Sequence, residues 1–335
     1  MAPTKVLVVD DSLTMRALIS GALERVPNVE VIGSADGADE AREMVAKLRP
    51  DVMTLDVEMP GTSGIAYLAE IMSSKPMPVI MFSTRTTDGA EETIEALRLG
   101  AIDCFPKPKV AAPAELDKII AKLGKRIKAA KGTEMRLAAP AAPAATTKPP
   151  IDWNGRLLVV GGDASSTAGL FDIFGSFPEN CPPTIVVQHL GPGLVDSMVE
   201  KLNSQVVPRV VVATDGMAAE QGTIYFAPSG DHHVVIDSWP NGTIRFLARD
   251  PVAGERPSIS LLFAAAAKAA GANAIGVLLI ETSEDGGGGL KAMLGAGSYV
   301  FSPAEEGGYT LARNTIAQPT ASSALPGSIL KMCSK

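Results

Sequence analysis

Three acids, a hydroxyl and an amine at the ends of apolar runs carry the first chemistry in this sequence. Asp10 and Asp11 follow Val6 to Val9, and Asp56 follows Val52 to Leu55. If those runs are adjacent parallel strands, their C-terminal ends gather three carboxylates in one crevice, where open α/β sheets bind ligands. Like charges that close repel unless a cation joins them, and hard oxygen ligands favour Mg²⁺. Ser83 ends a fourth apolar run and Lys107 follows a fifth, in F-P-K-P. A hydroxyl and an ammonium beside the acids suit an acyl phosphate. Mg²⁺ and Lys107 neutralise its oxygens, and Ser83 senses them.

A second set lies further along. Leu157 to Val160 runs into G-G-D-A-S-S, with Asp163 and Ser165; Thr184 to Val187 ends at Gln188-His189; Ala274 to Ile280 is followed by E-T-S-E-D-G-G-G-G, with Asp285. Strand ends thus present an acid, a histidine and a second acid. Two other clusters carry less. In Asp231-His232-His233, neighbours on a strand would point to opposite faces, so solvated turn residues are expected rather than a metal site. Gly286 to Gly289 lacks the lysine and spacing of a phosphate loop, and is expected to open a helix flexibly.

The elements that must position these residues alternate. Strands are expected at Val6–Val9, Val29–Ile32, Val52–Leu55, Val79–Phe82 and Ile102–Phe105. Helices follow Ser12, whose side chain suits a cap, and run over Ala38–Leu48, Ile65–Met72, Glu91–Leu99 and Ala114–Lys128. Strict β/α alternation gives a doubly wound parallel sheet. Residues 131–150 are rich in alanine and proline and read as an extended linker. Alternation resumes beyond it, with a long alanine-rich helix opened by Arg256-Pro257-Ser258. The expected organisation is two doubly wound α/β domains, 1–130 and 151–335, joined by 131–150.

Composition narrows the class. At 335 residues two domains are natural, and 46% apolar with 20% charged residues describes a globular chain. A net charge of −7 argues against nucleic acid as the main partner. Three widely spaced cysteines make neither a disulfide framework nor a metal pattern and suit a reducing cytosol. No run reads as a signal peptide or a membrane span, so a cytoplasmic protein without membrane insertion is expected.

V-V-D-D-S, L-D-V-E-M-P, the Ser83 strand end and K-P resemble a response-regulator receiver domain over roughly residues 4–128. The resemblance implies a flavodoxin-like fold and phosphorylation of Asp56 by a CheA-type histidine kinase. It also implies Mg²⁺ held by Asp10, Asp11, Asp56 and the Glu58 backbone carbonyl, with Ser83 and Lys107 sensing phosphate. Cys104 stands where many receivers carry an aromatic switch residue, so a ring movement is not the expected output.

The second half resembles the catalytic domain of the CheB chemotaxis methylesterases through V-Q-H-L-G-P-G-L, Y-F-A-P-S-G, E-R-P-S-I-S-L-L-F and G-V-L-L-I. That family hydrolyses glutamyl methyl esters on chemoreceptors and deamidates receptor glutamines with a Ser-His-Asp triad. His189 matches its histidine and Asp285 its aspartate, but Asp163 stands at the nucleophile position. The turn Ile280 to Ser283 and the segment Ala312 to Asn314 depart from the family as well. Losing a triad nucleophile costs ~10⁴ to 10⁶ in rate, and each oxyanion donor roughly 10² to 10³. The expectation is therefore an effector that has lost methylesterase chemistry and serves as a phosphorylation-switched binding module or phosphate sink. The competing reading is an active methylesterase and deamidase acting on chemoreceptor cytoplasmic domains with Ser165 as nucleophile.

Overall fold

Short apolar runs ending in polar residues become the parallel strands of two sheets in this computed structural model. It describes residues 2–83, 87–107, 113–131, 148–280, 285–304, 308–313 and 316–335. The chain divides into two units, Met1–Pro140 and Ala141–Lys335. Most of the segment expected as a linker lies outside the described residues.

In the first unit, β1 (Thr4–Val9), β2 (Val29–Ala35), β3 (Val52–Asp56), β4 (Val79–Ser83) and β5 (Asp103–Pro106) form a parallel sheet in the order β2-β1-β3-β4-β5. Alternating with them are α1 (Leu13–Leu23), α2 (Ala38–Leu48), α3 (Gly64–Ser74), α4 (Thr87–Arg98) and α5 (Pro113–Ala130). Ser12 and Ser63 cap α1 and α3, their hydroxyls accepting from the Met15 and Ala66 amides at 3.4 and 3.3 Å. On one face Val6, Val8, Ile80 and Phe82 pack with Ile19 and Leu23 of α1 and Ile120 and Leu123 of α5. The strand order reverses at the β1/β3 boundary, which opens the crevice at those strand ends.

Gly64 shows how tightly that crevice is built. A Cβ on it would lie 1.8 Å from the Asp56 carbonyl oxygen. Backbone cannot yield as a side-chain tip would, so Gly64→Ala is expected to cost about 1–3 kcal/mol or more. Chemical denaturation of the full chain, following the receiver transition, measures it.

In the second unit, β6 (Leu157–Asp163), β7 (Thr184–His189), β8 (Arg209–Val212), β9 (Thr223–Phe226), β12 (Ala274–Leu278), β13 (Tyr299–Pro303), β14 (Tyr309–Arg313) and β15 (Ile316–Thr320) form one sheet. Its order is β15-β14-β13-β12-β6-β7-β9-β8. Strands from β13 to β8 run parallel, and β14 and β15 add an antiparallel edge. The hairpin of β10 (His233–Ile236) and β11 (Ile244–Leu247) stands apart from that sheet. Its Val234, Ile236 and Ile244 share a core with Ile259, Leu262 and Phe263 of α8 (Ile259–Ala270). The remaining helices are α6 (Thr167–Gly175), α7 (Leu194–Asn203), α9 (Gly287–Gly295) and α10 (Leu325–Cys333). Gly287 to Gly289 form the first turn of α9, so the glycine run opens a helix as expected. Gly289 is buried against Phe263 and the Ser260 backbone, where no side chain would fit.

Candidate functional sites

The first site gathers at the C-terminal ends of β1, β3, β4 and β5. Asp10 and Asp56 are each 1% exposed, whereas Asp11 is open to solvent. Ligand oxygens of Asp10, Asp11 and Asp56 all lie within 4.8 Å of one another. Asp10 Oδ1 accepts from the Ser12 amide at 2.9 Å, and Arg16 donates to the Asp10 and Asp11 carbonyls. Asp56 Oδ1 accepts from the Glu58 amide at 3.3 Å. Lys107 Nζ stands 2.6 Å from Asp56 Oδ2 and 3.7 Å from Asp10 Oδ2. Asp10 Oδ2 is buried without a hydrogen-bond partner, so the donor set fits a hard divalent cation. Such a cation would supply the positive charge that the pair of buried acids and Lys107 leave short.

Electrostatics agree with that fit. Burial pushes Asp56 up to about 6, and the nearby Asp10 charge adds to it, against the Lys107 hydrogen bond and charge and the Glu58 amide. Burial also raises Asp10. Lys107 is opposed by its own burial, but the Asp56 hydrogen bond and the surrounding carboxylates outweigh it and the ammonium is held. A carboxyl whose folded value is raised destabilises the fold once ionised. That stability is present below about 3.8, the ordinary value, and is lost as pH rises through about 6, on the order of 3 kcal/mol. Mg²⁺ is therefore expected to raise the receiver melting temperature at pH 7 by several degrees, and the gain should shrink below pH 6. Calorimetry across that pH range checks both.

Ser83 ends β4, 8% exposed, with its hydroxyl 3.3 Å from that of Thr93 on α4. Thr93 Oγ1 in turn donates to the Gly89 carbonyl, and Cys104 Sγ lies 3.9 Å from the Thr93 carbonyl. Burial holds the Cys104 thiol well above its ordinary range, so it packs as a neutral group. Thr93 is a neighbour that sequence spacing did not single out.

The second site forms where β6 and β7 end side by side, with Asp163 paired to His189 in the sheet register. Asp163, 5% exposed, caps the 3₁₀ turn Ala164–Ser166 that leads into α6. Its Oδ1 accepts from the Ser165 amide at 3.0 Å and from the Ser165 hydroxyl at 2.6 Å. Ser166 Oγ accepts from the Asp163 amide and Gln188 Nε2 donates to the Asp163 carbonyl, so the turn is tied at both ends. A Cβ on Gly162 would meet Ser166 Oγ and Gln188 Oε1 at 2.3 and 2.4 Å, which accounts for glycine before the acid. An aspartate here satisfies the orphan amides of a helical start, a role any short polar side chain could fill. Ser165 is exposed.

His189 Nε2 stands 3.0 Å from the Pro257 carbonyl and 3.5 Å from Asp285 Oδ2. Both neighbours accept, so Nε2 carries a hydrogen, and in the neutral ring Nδ1 is then the accepting nitrogen. Asp285 is 1% exposed and sits at the N-terminus of α8, accepting from Ser258 Oγ at 2.9 Å and the Ile259 and Ser260 amides at 2.6 and 2.9 Å. The Ser258 hydroxyl and the first amides of α8 thereby satisfy both of its oxygens. The structure thus brings Asp163, Ser165, His189 and Asp285 to one end of the sheet.

Several expectations meet a different outcome. His233 is not a solvated turn residue: it opens β10 and is fully buried, whereas His232 beside it is exposed and Asp231 pairs with Arg256 at 2.7 Å. Strand alternation did operate, but it drove the last residue of the three inward. Ser258, Pro257 and Gln188 were not singled out as site residues, although R-P-S before an apolar run carries the signal of a capped helix. The turn residues Glu281, Thr282 and Ser283, and Asn314, lie outside the described residues.

Two family models match this chain: "Response regulator receiver domain" over residues 6–121 and "CheB methylesterase" over 158–327. The chain is 43% identical over 307 residues to the Rhizobium johnstonii protein-glutamate methylesterase/protein-glutamine glutaminase 1, covering 91% of this chain and 87% of that one. It is 42% identical over 300 residues to the Caulobacter vibrioides protein of the same name, covering 89% and 87%. Among solved structures it is similar to the CheB methylesterase catalytic domain of Thermotoga maritima, with TM-score 0.47, 23% identity, and 53% and 99% of the two chains covered.

Proposed function

The chain belongs to the CheB methylesterase family, a receiver domain followed by a methylesterase domain, and on that premise we propose a phosphorylation-controlled protein-glutamate methylesterase and glutamine deamidase acting on chemoreceptors. What carries the reading is 43% identity along 91% of the chain to a protein of that name. A CheA-type histidine kinase supplies the phosphoryl group to Asp56, with Mg²⁺ held by Asp10, Asp11, Asp56 and the Glu58 carbonyl, and Ser83 and Lys107 engaging the phosphoryl oxygens. The effector half then acts on receptor cytoplasmic domains. Among the described residues no helix is long and apolar enough to cross a membrane.

In this reading Ser165 is the nucleophile. Its hydroxyl attacks the glutamyl carbonyl, its proton passes to His189 Nδ1, and methanol or ammonia leaves with a proton returned from the imidazolium. Water then repeats the sequence on the acyl-serine and frees glutamate. Asp285 orients His189 through the Nε2 side, and Asp163, which accepts the hydroxyl hydrogen at 2.6 Å in the resting site, yields it as the hydroxyl turns to Nδ1 for attack.

One observation favours a second reading. The residue in register with His189 is a carboxylate engaged in capping, and the serine hydroxyl donates to that carboxylate. A domain so built binds a glutamyl side chain without turning it over and serves as a phosphorylation-switched binding module or phosphate sink. Methanol release from a methylated receptor fragment, by the full chain with and without acetyl phosphate, separates the two. Release that Ser165→Ala abolishes and Asp163→Ala does not supports the hydrolase; no release above the Ser165→Ala background supports the binding module.

A further inference from the structure

The buried His233 belongs to neither the hydrolytic nor the binding reading, yet it touches the segment that holds both His189 and Asp285. Its Nδ1 accepts from the Ser258 backbone amide at 3.0 Å, and its Nε2 stands 3.0 Å from the Asp250 carbonyl. An amide can only donate and a carbonyl can only accept, so the ring must be neutral at Nδ1 and hydrogen-bearing at Nε2. No other arrangement satisfies both neighbours in a fully buried position.

Ser258 is where the consequences converge. Its hydroxyl donates to Asp285 Oδ1 at 2.9 Å and accepts from the Leu261 amide at 3.2 Å. The residue before it, Pro257, offers the carbonyl that His189 Nε2 faces, and the two residues after it offer amides to Asp285. Pinning the Ser258 amide therefore fixes at once the carbonyl that selects the His189 tautomer and the donors that seat Asp285.

We infer that His233 is a positioning residue: by accepting from the Ser258 amide it holds the start of α8 so that His189 keeps hydrogen on Nε2 and its accepting nitrogen, Nδ1, on the other side. His233 acts through backbone and touches no substrate. The inference goes beyond the proposed activity and does not require that any ester be hydrolysed, because the tautomer exists in the resting protein.

The chain has three histidines, His189, His232 and His233, so ring nitrogen signals of the ¹⁵N-histidine-labelled full chain can be assigned by substitution. In the uniformly ¹⁵N-labelled, unaltered protein a through-hydrogen-bond coupling is expected between the Ser258 amide nitrogen and His233 Nδ1; its absence would overturn the inference without any variant. Two polar replacements then separate positioning from mere support of the fold. In His233→Asn the side-chain oxygen can take the place of Nδ1, so His189 should retain one protonated and one bare ring nitrogen. In His233→Gln the acceptor moves off that place, and the two His189 signals should collapse toward a tautomer average while the melting transition persists. Unchanged His189 signals in folded His233→Gln, or equal collapse in both variants, would show that His233 supports only the core.

Discussion

Replacing Ser165 with alanine is expected to lower methanol release from a methylated receptor fragment by ~10⁴ to 10⁶. Alanine removes the only attacking atom that the proposed reaction uses and leaves the fold almost untouched, because Ser165 is exposed and its amide still meets Asp163. Asp163→Ala should behave differently. It keeps the hydroxyl but removes the oxygen that holds it at 2.6 Å, and a misplaced nucleophile costs roughly 10² in rate. It also removes a cap, worth about 1 kcal/mol of stability. The inverse experiment is equally sharp. If the unaltered chain releases no methanol, Asp163→Ser should create release by placing a hydroxyl at the residue in register with His189. Gain in that variant would assign the natural protein to the binding module and remove Ser165 from the chemistry.

Asp10, Asp56 and Ser83 of the receiver site were legible because each closes or follows a run that reads as a buried strand. Val6 to Val9 and Val79 to Phe82 are apolar without alternation, the signature of strands covered on both faces, and polarity returns where each strand leaves the core. Strand ends are then predictable to a residue or two, and Asp10, Asp56, Ser83 and Lys107 converge once the strand order is that of a doubly wound sheet. The same logic served β6, β7 and β12 in the second unit.

Where burial is one-sided the signal faded. Every residue of β14 is half-buried, and its Y-T-L-A-R pattern gives no period to read, so the antiparallel edge was not foreseen. The β10–β11 hairpin was obscured for another reason. Its apolar run His233 to Ile236 packs on α8 rather than on the main sheet, and nothing local names that partner. His233 followed from the same gap: a histidine before V-V-I looks like the polar edge of a strand until Asp250 and Ser258 arrive from distant sequence to satisfy both ring nitrogens. The identity of Asp163 was plain in the sequence, but its service as a cap was not, since that depends on how the 3₁₀ turn after it closes.

Acetyl phosphate with Mg²⁺ is expected to label the full chain, and Asp56→Asn to lose at least 10²-fold of that labelling, to background; radiolabel incorporation or intact-mass spectrometry reads it. The reaction needs an ionised oxygen to attack phosphorus while acetate leaves, and an amide offers none. Burial holds the Asp56 carboxyl up to about 6, so at low Mg²⁺ the labelling rate should rise with pH through that value. A bound cation stabilises the ionised form and should move the midpoint lower, which ties the pH profile to the metal site rather than to any distant group. Lys107→Ala makes the complementary case. Its ammonium lies 2.6 Å from the acceptor oxygen but is not itself the acceptor, so labelling should persist more slowly while the effector ceases to respond. Undiminished labelling of Asp56→Asn would move the phosphoryl group to another residue and detach the whole acidic pocket from signalling. Labelling lost in Asp56→Asn but kept in Lys107→Ala, with the effector silent in both, would separate receiving the phosphoryl group from reporting it.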